Sequence, residues 1–164
     1  MQEIRIRAGG IMSLKIKLAY GELEKIKELF QEYSAALGID LDFQDYEKEL
    51  ANLPDKYTFP HGRLYIATYN NVLAGCVALR PLNGNRSEAK RLYVRPPYRK
   101  LKIGNTLVEK IITDAKDIGY DNIVLDTLAS MKPAIGLYKK LGFYEIEPYC
   151  YNPIKDAIFL QKDL

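Results

Sequence analysis

Residues 88–105 read EAKRLYVRPPYRKLKIGN, and this stretch predicts a strand that leads into a helix through a short basic turn. The strand ends at Val94, two prolines stiffen the exit, and the helix begins at Gly104. The first amides of a helix have no internal partners and carry the positive end of its dipole. A phosphate therefore binds favourably at such a helix start, and a residue as small as Gly104 lets it approach the backbone.

Three basic side chains, Arg99, Lys100 and Lys102, lie in the predicted turn and can add charge-assisted hydrogen bonds to a bound phosphate. Neither GxxxxGK nor GxGxxG occurs here, so the pattern is not a P-loop or a dinucleotide-binding fingerprint. A run of charges is also typical of a solvated surface turn. Taken alone, the segment leaves these two interpretations open.

The hydrophobic periodicity around this stretch predicts an α/β fold in the order β-α-α-β-β-β-α-β-α-β-β. This order predicts a single domain, in which a mixed, mostly antiparallel sheet is flanked by helices. Asp42 is expected to cap the second helix, Pro54 to end it, and Ser130 to cap the last helix. The predicted elements are strands at 14–18 and 122–127, helices at 22–37, 42–54, 104–118 and 130–141, a hairpin turning at Asn70-Asn71, the strand ending at Val94, and short strands at 143–147 and 157–161.

The composition fits one globular domain, which we expect to span residues 13–164 after a flexible N-terminal extension at residues 1–12. No apolar run approaches membrane-spanning length, and a net charge of +3 gives no general argument for nucleic acid. Cys76 and Cys150 are expected to pack as small apolar residues, as suits a cytoplasmic protein. His61 is the only histidine, so histidine triads and multi-histidine metal sites are excluded, and no metal is expected.

Two motifs in order resemble the GNAT superfamily of N-acetyltransferases. Arg99-x-x-Lys102-x-Gly104, directly after a strand ending LYV, resembles its motif A. Downstream, Ala134-x-x-Leu137-Tyr138-x-x-x-Gly142-Phe143 resembles motif B at a typical spacing. Together the motifs span about residues 75–147, and the predicted elements on either side also fit this family.

The resemblance implies that acetyl-CoA is the cosubstrate and that its pyrophosphate binds at the turn and helix start. The main chain near the end of the preceding strand would then bind the pantetheine arm. The residues implied in cosubstrate binding are Leu92, Tyr93, Val94, Arg99, Lys100, Leu101, Lys102, Ile103, Gly104 and Asn105.

The resemblance also implies two catalytic side chains. Tyr138 matches the tyrosine that protonates the departing CoA sulfur, and this role is favoured; the alternative is a core tyrosine on the apolar face of its helix. Glu88 stands where some members carry the carboxylate that deprotonates the amine; the alternative is a surface carboxylate paired with Lys90 or Arg91. Two positions depart from the family pattern: Lys102 replaces a frequent glycine, and Met131 replaces a frequent asparagine.

The function implied is acetyl transfer to a primary amine, on a small molecule or a protein, by direct attack in a ternary complex. The acceptor would enter between the first two helices, with the last strands walling the site, and the candidate wall and rim residues are Phe43, Tyr46, Tyr57, Tyr149, Tyr151, Asp40, Asp42 and Asp45. For Phe43 and Tyr46 the favoured interpretation is that they form the core stripe of the second helix. A non-catalytic CoA-binding module is the alternative. Nucleic-acid binding through the basic residues Lys90, Arg91, Arg95, Arg99, Lys100 and Lys102 ranks behind it, and a homodimer is the default expectation.

Overall fold

The computed structural model describes residues 2–4, 12–39 and 45–164. The described elements, in chain order, are β1 (Gln2–Ile4), β2 (Leu14–Leu18), α1 (Leu23–Leu37), α2 (Tyr46–Ala51), α3 (Leu53–Lys56), β3 (Arg63–Tyr69), β4 (Val72–Leu82), β5 (Arg86–Val94), a 3-10 turn (Pro96–Tyr98), α4 (Ile103–Ile118), β6 (Asn122–Leu128), α5 (Lys132–Lys140), β7 (Tyr144–Ile146) and β8 (Ala157–Asp163).

The described strands form one sheet in the order β1-β2-β3-β4-β5-β6-β8-β7. Every pair is antiparallel except β5 and β6, which run parallel because α4 crosses between them. The predicted α/β class and the mixed, mostly antiparallel sheet are confirmed. β1 adds a strand at Gln2–Ile4, within the segment expected to be a flexible extension; Met1 and residues 5–11 lie outside the described residues.

Helices pack on both faces of the sheet, and each face has its own apolar core. On the α4 face, Leu107 and Ile111 of α4 pack with Val77 and Leu79 of β4 and with Tyr138 of α5. On the α1 face, α1 packs against the opposite side chains of the same strands: Ile26, Leu29 and Phe30 are fully enclosed. This alternation is the period-two arrangement of strand side chains.

The second helix differs from its prediction. It is divided into α2 and α3, and Pro54 lies in the first turn of α3 instead of ending a helix, as proline's fixed φ and missing N–H allow there. α5 begins at Lys132 with Met131 at its N-cap, so Ser130 is not the capping residue. The expected cap Asp42 and the neighbouring Phe43 lie outside the described residues.

β5 and β6 separate soon after they meet. They pair only from Arg86–Asn122 to Glu88–Val124, although β5 continues to Val94 and β6 to Leu128. In the described structure, the β6-facing edge of β5 therefore has no strand partner beyond Glu88. The separation opens the sheet on the side where β5 ends, at Val94.

A bulge in β5 accompanies this separation. Cys76 pairs with Tyr93 and Ala78 with Lys90, so two residues of β5, Arg91 and Leu92, oppose one residue of β4. Arg91 adopts a left-handed conformation with a φ of 58°. Bulges bend a strand and redirect its side chains. Here the bulge bends β5 at the point where it departs from β6.

Gly75 permits the close contact of β4 with the bent strand. A Cβ at this position would lie 2.5 Å from the Tyr93 carbonyl oxygen, which is part of the backbone and cannot rotate away. Only glycine fits at such an approach. The bend of β5 therefore depends partly on a residue of the neighbouring strand, Gly75 of β4.

Candidate active site

The opening between β5 and β6 forms a cleft with about 770 Å³ of space between its walls, part of it open to solvent. Leu92 and Ala89 of β5 line one side, Leu125 and Thr127 of β6 the other, and Tyr138 of α5 also lines it. Tyr33 and Leu37 of α1 complete the wall on the α1 face. The walls of the cleft therefore come from both faces of the sheet, between the separated strands.

The basic turn and the start of α4 lie beside the end of β5. A methyl built on Gly104 would lie 3.7 Å from Val94 Cγ2 and 3.6 Å from Leu137 Cδ2, which are ordinary contact distances. The N-cap residue, Lys102, makes no side-chain capping hydrogen bond, and the first turn of α4 contains no acidic residue. The helix start thus keeps its amides and its positive dipole end for an anion.

Exposed basic side chains surround this helix start. Arg99, Lys100 and Lys102 are all exposed, and Arg99 Nε donates to the Val94 carbonyl oxygen at 3.0 Å. Lys100 and Lys102 have φ values of 71° and 60°, in the left-handed region that glycine occupies more easily. The structure therefore brings together the residues expected to bind the pyrophosphate, and two of them, Lys100 and Lys102, have the left-handed backbone conformation that is typical of glycine.

The other basic residues of the quoted stretch are used inside the protein. Lys90 and Arg91 are buried on the α1 face. Arg95 binds Glu28 and Glu32 of α1 and donates to the Leu73 carbonyl oxygen at 3.1 Å. The six basic residues considered for nucleic-acid binding therefore do not form one continuous surface, because only Arg99, Lys100 and Lys102 are exposed. This removes the support for nucleic-acid binding.

Tyr138 lies in the cleft wall, with its ring edge-on to Phe143 at 5.5 Å between centroids. Burial raises the pKa of the Tyr138 hydroxyl above its ordinary value, and the nearby Tyr33 and Asp126 raise it further. The hydroxyl is therefore protonated at neutral pH, as a proton donor must be. Within the described parts of the chain, no hydrogen bond engages it.

Glu88 is buried and makes hydrogen bonds through both carboxylate oxygens. Arg80 Nε donates to Oε1 at 2.7 Å, and the Tyr149 hydroxyl donates to Oε2 at 2.6 Å. The side chain is 2% exposed and is not part of the cleft wall. The alternative expectation of a surface carboxylate paired with Lys90 or Arg91 is wrong: its partner is Arg80. The role of Glu88 as a base stays a prediction.

A second buried ion pair links α2 to the bulge. Arg91 Nη2 donates to Glu49 Oε2 at 2.7 Å and Arg91 Nε to Oε1 at 3.1 Å, while the Tyr57 hydroxyl donates to the same Oε1 at 2.6 Å. Burial alone raises the pKa of Glu49, but the hydrogen bonds and charge of Arg91 outweigh it and hold this pKa below its ordinary range. Glu49 is therefore ionised at neutral pH.

A carboxylate that the sequence-based prediction missed lies in the cleft wall. Asp126 of β6 accepts a hydrogen bond from Asn152 Nδ2 to Oδ2 at 3.1 Å, and Lys90 Nζ lies 3.7 Å from Oδ1. All three residues line the cleft. The available signal was the single charged residue in the strand NIVLDTL.

The residues expected around the acceptor lie elsewhere. Tyr46 and Tyr57 are core residues of the α1 face, and Tyr149 is bound to Glu88. Tyr151 is 77% exposed, and Asp45 is also exposed. None of the five is part of the cleft wall. The remaining expected residues, Asp40, Asp42 and Phe43, lie outside the described residues.

Two features absent from the described residues bear on other classes of protein. No helix among them is long and apolar enough to cross a bilayer. Nor do they contain a group of three or more histidine, cysteine or acidic side chains that could hold a metal ion.

A sheet that opens beside a basic turn and a helix start fits the resemblance that the two motifs indicated. The chain belongs to the acetyltransferase (GNAT) family, whose sequence pattern matches residues 23–143. The resemblance indicated by the two motifs is thereby confirmed.

Individual relatives agree. An uncharacterised N-acetyltransferase of Schizosaccharomyces pombe is 44% identical over 145 residues, which cover 87% of this chain and 89% of that protein. A GNAT-family acetyltransferase from Staphylococcus aureus superposes with a TM-score of 0.76 at 26% identity, covering 92% of this chain and 98% of the other. A GNAT-family acetyltransferase from Elizabethkingia anophelis, solved with acetyl-CoA bound, gives a TM-score of 0.54 at 31% identity, covering 63% and 76%.

Proposed function

We propose that this acetyltransferase transfers the acetyl group of acetyl-CoA to a primary amine by direct attack in a ternary complex. The observation that carries the proposal is the cleft between β5 and β6, with Tyr138 in its wall and the uncapped start of α4 beside the end of β5. The acetyl-CoA bound to the relative from Elizabethkingia anophelis supports the choice of cosubstrate.

The groups beside the end of β5 fit a CoA ester. A pyrophosphate would accept hydrogen bonds from the first amides of α4 at Ile103, Gly104 and Asn105. Arg99, Lys100 and Lys102 would contribute charge, with Leu101 exposed between them. An amide-containing pantetheine arm would add to the open edge of β5 between Leu92 and Val94, as an extended segment adds to a strand edge.

The thioester would then lie in the cleft, where the amine reaches it from the α1 face. Nitrogen attacks the carbonyl carbon, the C–N bond forms and the C–S bond breaks. Tyr138 donates its hydroxyl proton to the departing sulfur. A thiolate is a fair leaving group, so this proton accelerates the reaction without being indispensable.

The test combines binding and turnover in wild type and Tyr138→Phe. Acetyl-CoA should raise the melting temperature of both proteins, because a ligand specific for the native state stabilises it. Release of free CoA in the presence of primary amines should be about 100-fold slower in Tyr138→Phe. Binding without turnover across a broad amine panel would favour the non-catalytic module, and unchanged turnover in the variant would remove Tyr138 from the mechanism.

A further inference from the structure

Two carboxylates lie close to the opening between β5 and β6, and their surroundings differ. Glu88 accepts hydrogen bonds through both oxygens and is outside the cleft wall. Asp126 lies in the wall and accepts one hydrogen bond, from Asn152 to Oδ2. Its other oxygen, Oδ1, faces Lys90 at 3.7 Å, beyond ordinary hydrogen-bond distance. Among the described residues, Asp126 Oδ1 is therefore the carboxylate oxygen in the cleft wall that can accept a further donor.

The position of Asp126 suits an amine that enters from the α1 face. Side chains alternate along β6, and Leu125 packs into the core of the α4 face, so its neighbour Asp126 points to the opposite side. Tyr33 and Leu37 of α1 also line the cleft, together with Ile39 and Ile154, and these four side chains are apolar or aromatic. The charged residues of the lining are Asp126, the neighbouring Lys90, and Arg91, whose charge is paired with Glu49.

From this arrangement we infer that Asp126 binds the ammonium group of the acceptor and takes its first proton, and that the acceptor is a primary monoamine on an apolar stem. This inference rests on the proposed function. A carboxylate that is 9% exposed attracts an ammonium group more strongly than a solvated one, because less water screens the charges. Asn152 and Lys90 keep Asp126 in place and compensate its burial before the amine arrives.

The protons balance in two steps. The ammonium group first transfers one proton to Asp126 Oδ1, and the neutral nitrogen then attacks the thioester carbonyl. Tyr138 gives its proton to sulfur when the C–S bond breaks, and the second proton, which nitrogen loses as the C–N bond is completed, restores the Tyr138 hydroxyl. Asp126 returns its proton to solvent, so each turnover releases one proton with the amide and free CoA.

The other titratable groups that sense Asp126 do not compete for this role. Burial raises the pKa of each tyrosine and of the cysteine among them, so these groups are neutral at pH 7 and cannot accept the proton from an ammonium group. The groups are Lys90 of β5, Tyr33 of α1, Tyr138 of α5, and Tyr149 and Cys150 before β8.

The experiment compares wild type with Asp126→Asn, using acetyl-CoA and phenethylamine between pH 7 and pH 9. At pH 7 the variant should lose about 100-fold or more in kcat/KM for the amine, while its KM for acetyl-CoA stays unchanged. The variant can use only the neutral form of the amine. The fraction of that form rises about tenfold per pH unit below the amine pKa near 10, so the kcat/KM of the variant should rise by the same factor. Wild type should be nearly flat over this range.

Asp121→Asn is the matched control, because Asp121 is an exposed aspartate just before the same strand. It should match wild type in rate and pH profile. Asn152→Ala, which removes the donor that orients Asp126, should lose about tenfold in kcat/KM and keep the flat profile. It serves as the second test if Asp126→Asn folds poorly.

The outcomes separate this inference from the proposed function. A wild-type protein that acetylates phenethylamine, with an Asp126→Asn variant of equal rate and equal pH profile, overturns the role of Asp126 and leaves acetyl transfer intact. Turnover confined to amines with a second charged group overturns the apolar substrate class. Acetyl-CoA that stays intact with every amine overturns both proposals.

Discussion

The two faces of the opened sheet are built from different parts of the chain. On the side of α4, the features are mostly backbone: an open strand edge, an uncapped helix start and a turn with left-handed residues. On the side of α1, they are side chains held in buried polar groups, namely Glu49 with Arg91 and Tyr57, Glu88 with Arg80 and Tyr149, and Asp126 with Lys90 and Asn152.

This difference separates a general cosubstrate from a particular acceptor. A backbone site recognises a phosphate or an amide with any sequence that forms the turn and the helix. A side-chain site is specific, because changing one residue changes its charge or shape. The α4 side therefore suits a ligand shared by many acetyltransferases, and the α1 side suits an acceptor particular to this chain.

The largest expected effect comes from breaking the buried pair on the α1 side. Glu49→Ala removes the carboxylate that neutralises Arg91 and accepts the Tyr57 hydroxyl. Removing one partner of a buried ion pair costs about 3–5 kcal/mol, since the remaining charge stays desolvated. We expect the free energy of unfolding, measured by urea denaturation at pH 7, to fall by this amount.

Two comparisons sharpen this prediction. Glu24→Ala removes an exposed pair with Lys27 and should leave the unfolding curve unchanged. The pKa of Glu49 lies below the ordinary 4.5, so its contribution is complete above that pH and is lost as the pH falls through the lowered value. The gap between wild type and Glu49→Ala should therefore narrow below pH 4.5, and a gap that widened there would contradict the ionised pair.

The next effect concerns the backbone on the α4 side. Gly75→Ala places a methyl 2.5 Å from the Tyr93 carbonyl oxygen, so β4 and β5 must move apart at the bulge. Overpacking of this kind costs about 1–3 kcal/mol. We expect a lower free energy of unfolding and a higher KM for acetyl-CoA, because the open edge of β5 shifts.

Gly136→Ala is the control for the added methyl, since a Cβ there meets no atom within 4 Å. It lies inside α5, where alanine is favoured over glycine, and should keep or gain stability. Equal losses in the two variants would show that the close approach at Gly75 is unimportant.

The comparison also explains what the sequence could predict. The local pattern that predicts the strand end, the turn and the helix start is short, because Pro96-Pro97, the basic turn and Gly104 lie within ten residues. The pairs of the α1 side join residues far apart in the chain: 42 residues separate Glu49 from Arg91, and 61 separate Glu88 from Tyr149. No local pattern reveals such pairs. The one charged residue of β6 was a local signal for Asp126, but its partners Lys90 and Asn152 are far away in the chain and could not be predicted.

Helix ends failed to follow their local signals for a related reason. Pro54 is typical of a helix end, but it is equally compatible with a first turn, which is where α3 places it. Ser130 is a good capping residue, yet α5 begins two residues later with Pro133 in its first turn. Local signals are weak at helix ends, and tertiary context often overrides them.

The smallest expected effect separates backbone from charge within the basic turn. Lys102→Gly and Lys102→Ala remove the same ammonium group, so each should raise the KM for acetyl-CoA by about threefold, the weight of one exposed charge. They differ in backbone, because Lys102 has a φ of 60°. Glycine adopts this conformation freely and alanine does not, so Lys102→Gly should be more stable than Lys102→Ala by about 1 kcal/mol. Thermal unfolding and steady-state kinetics measure the two quantities separately. If Lys102→Gly kept the wild-type KM for acetyl-CoA, the ammonium group of Lys102 would contribute nothing to cosubstrate binding, and the backbone at this position would be sufficient.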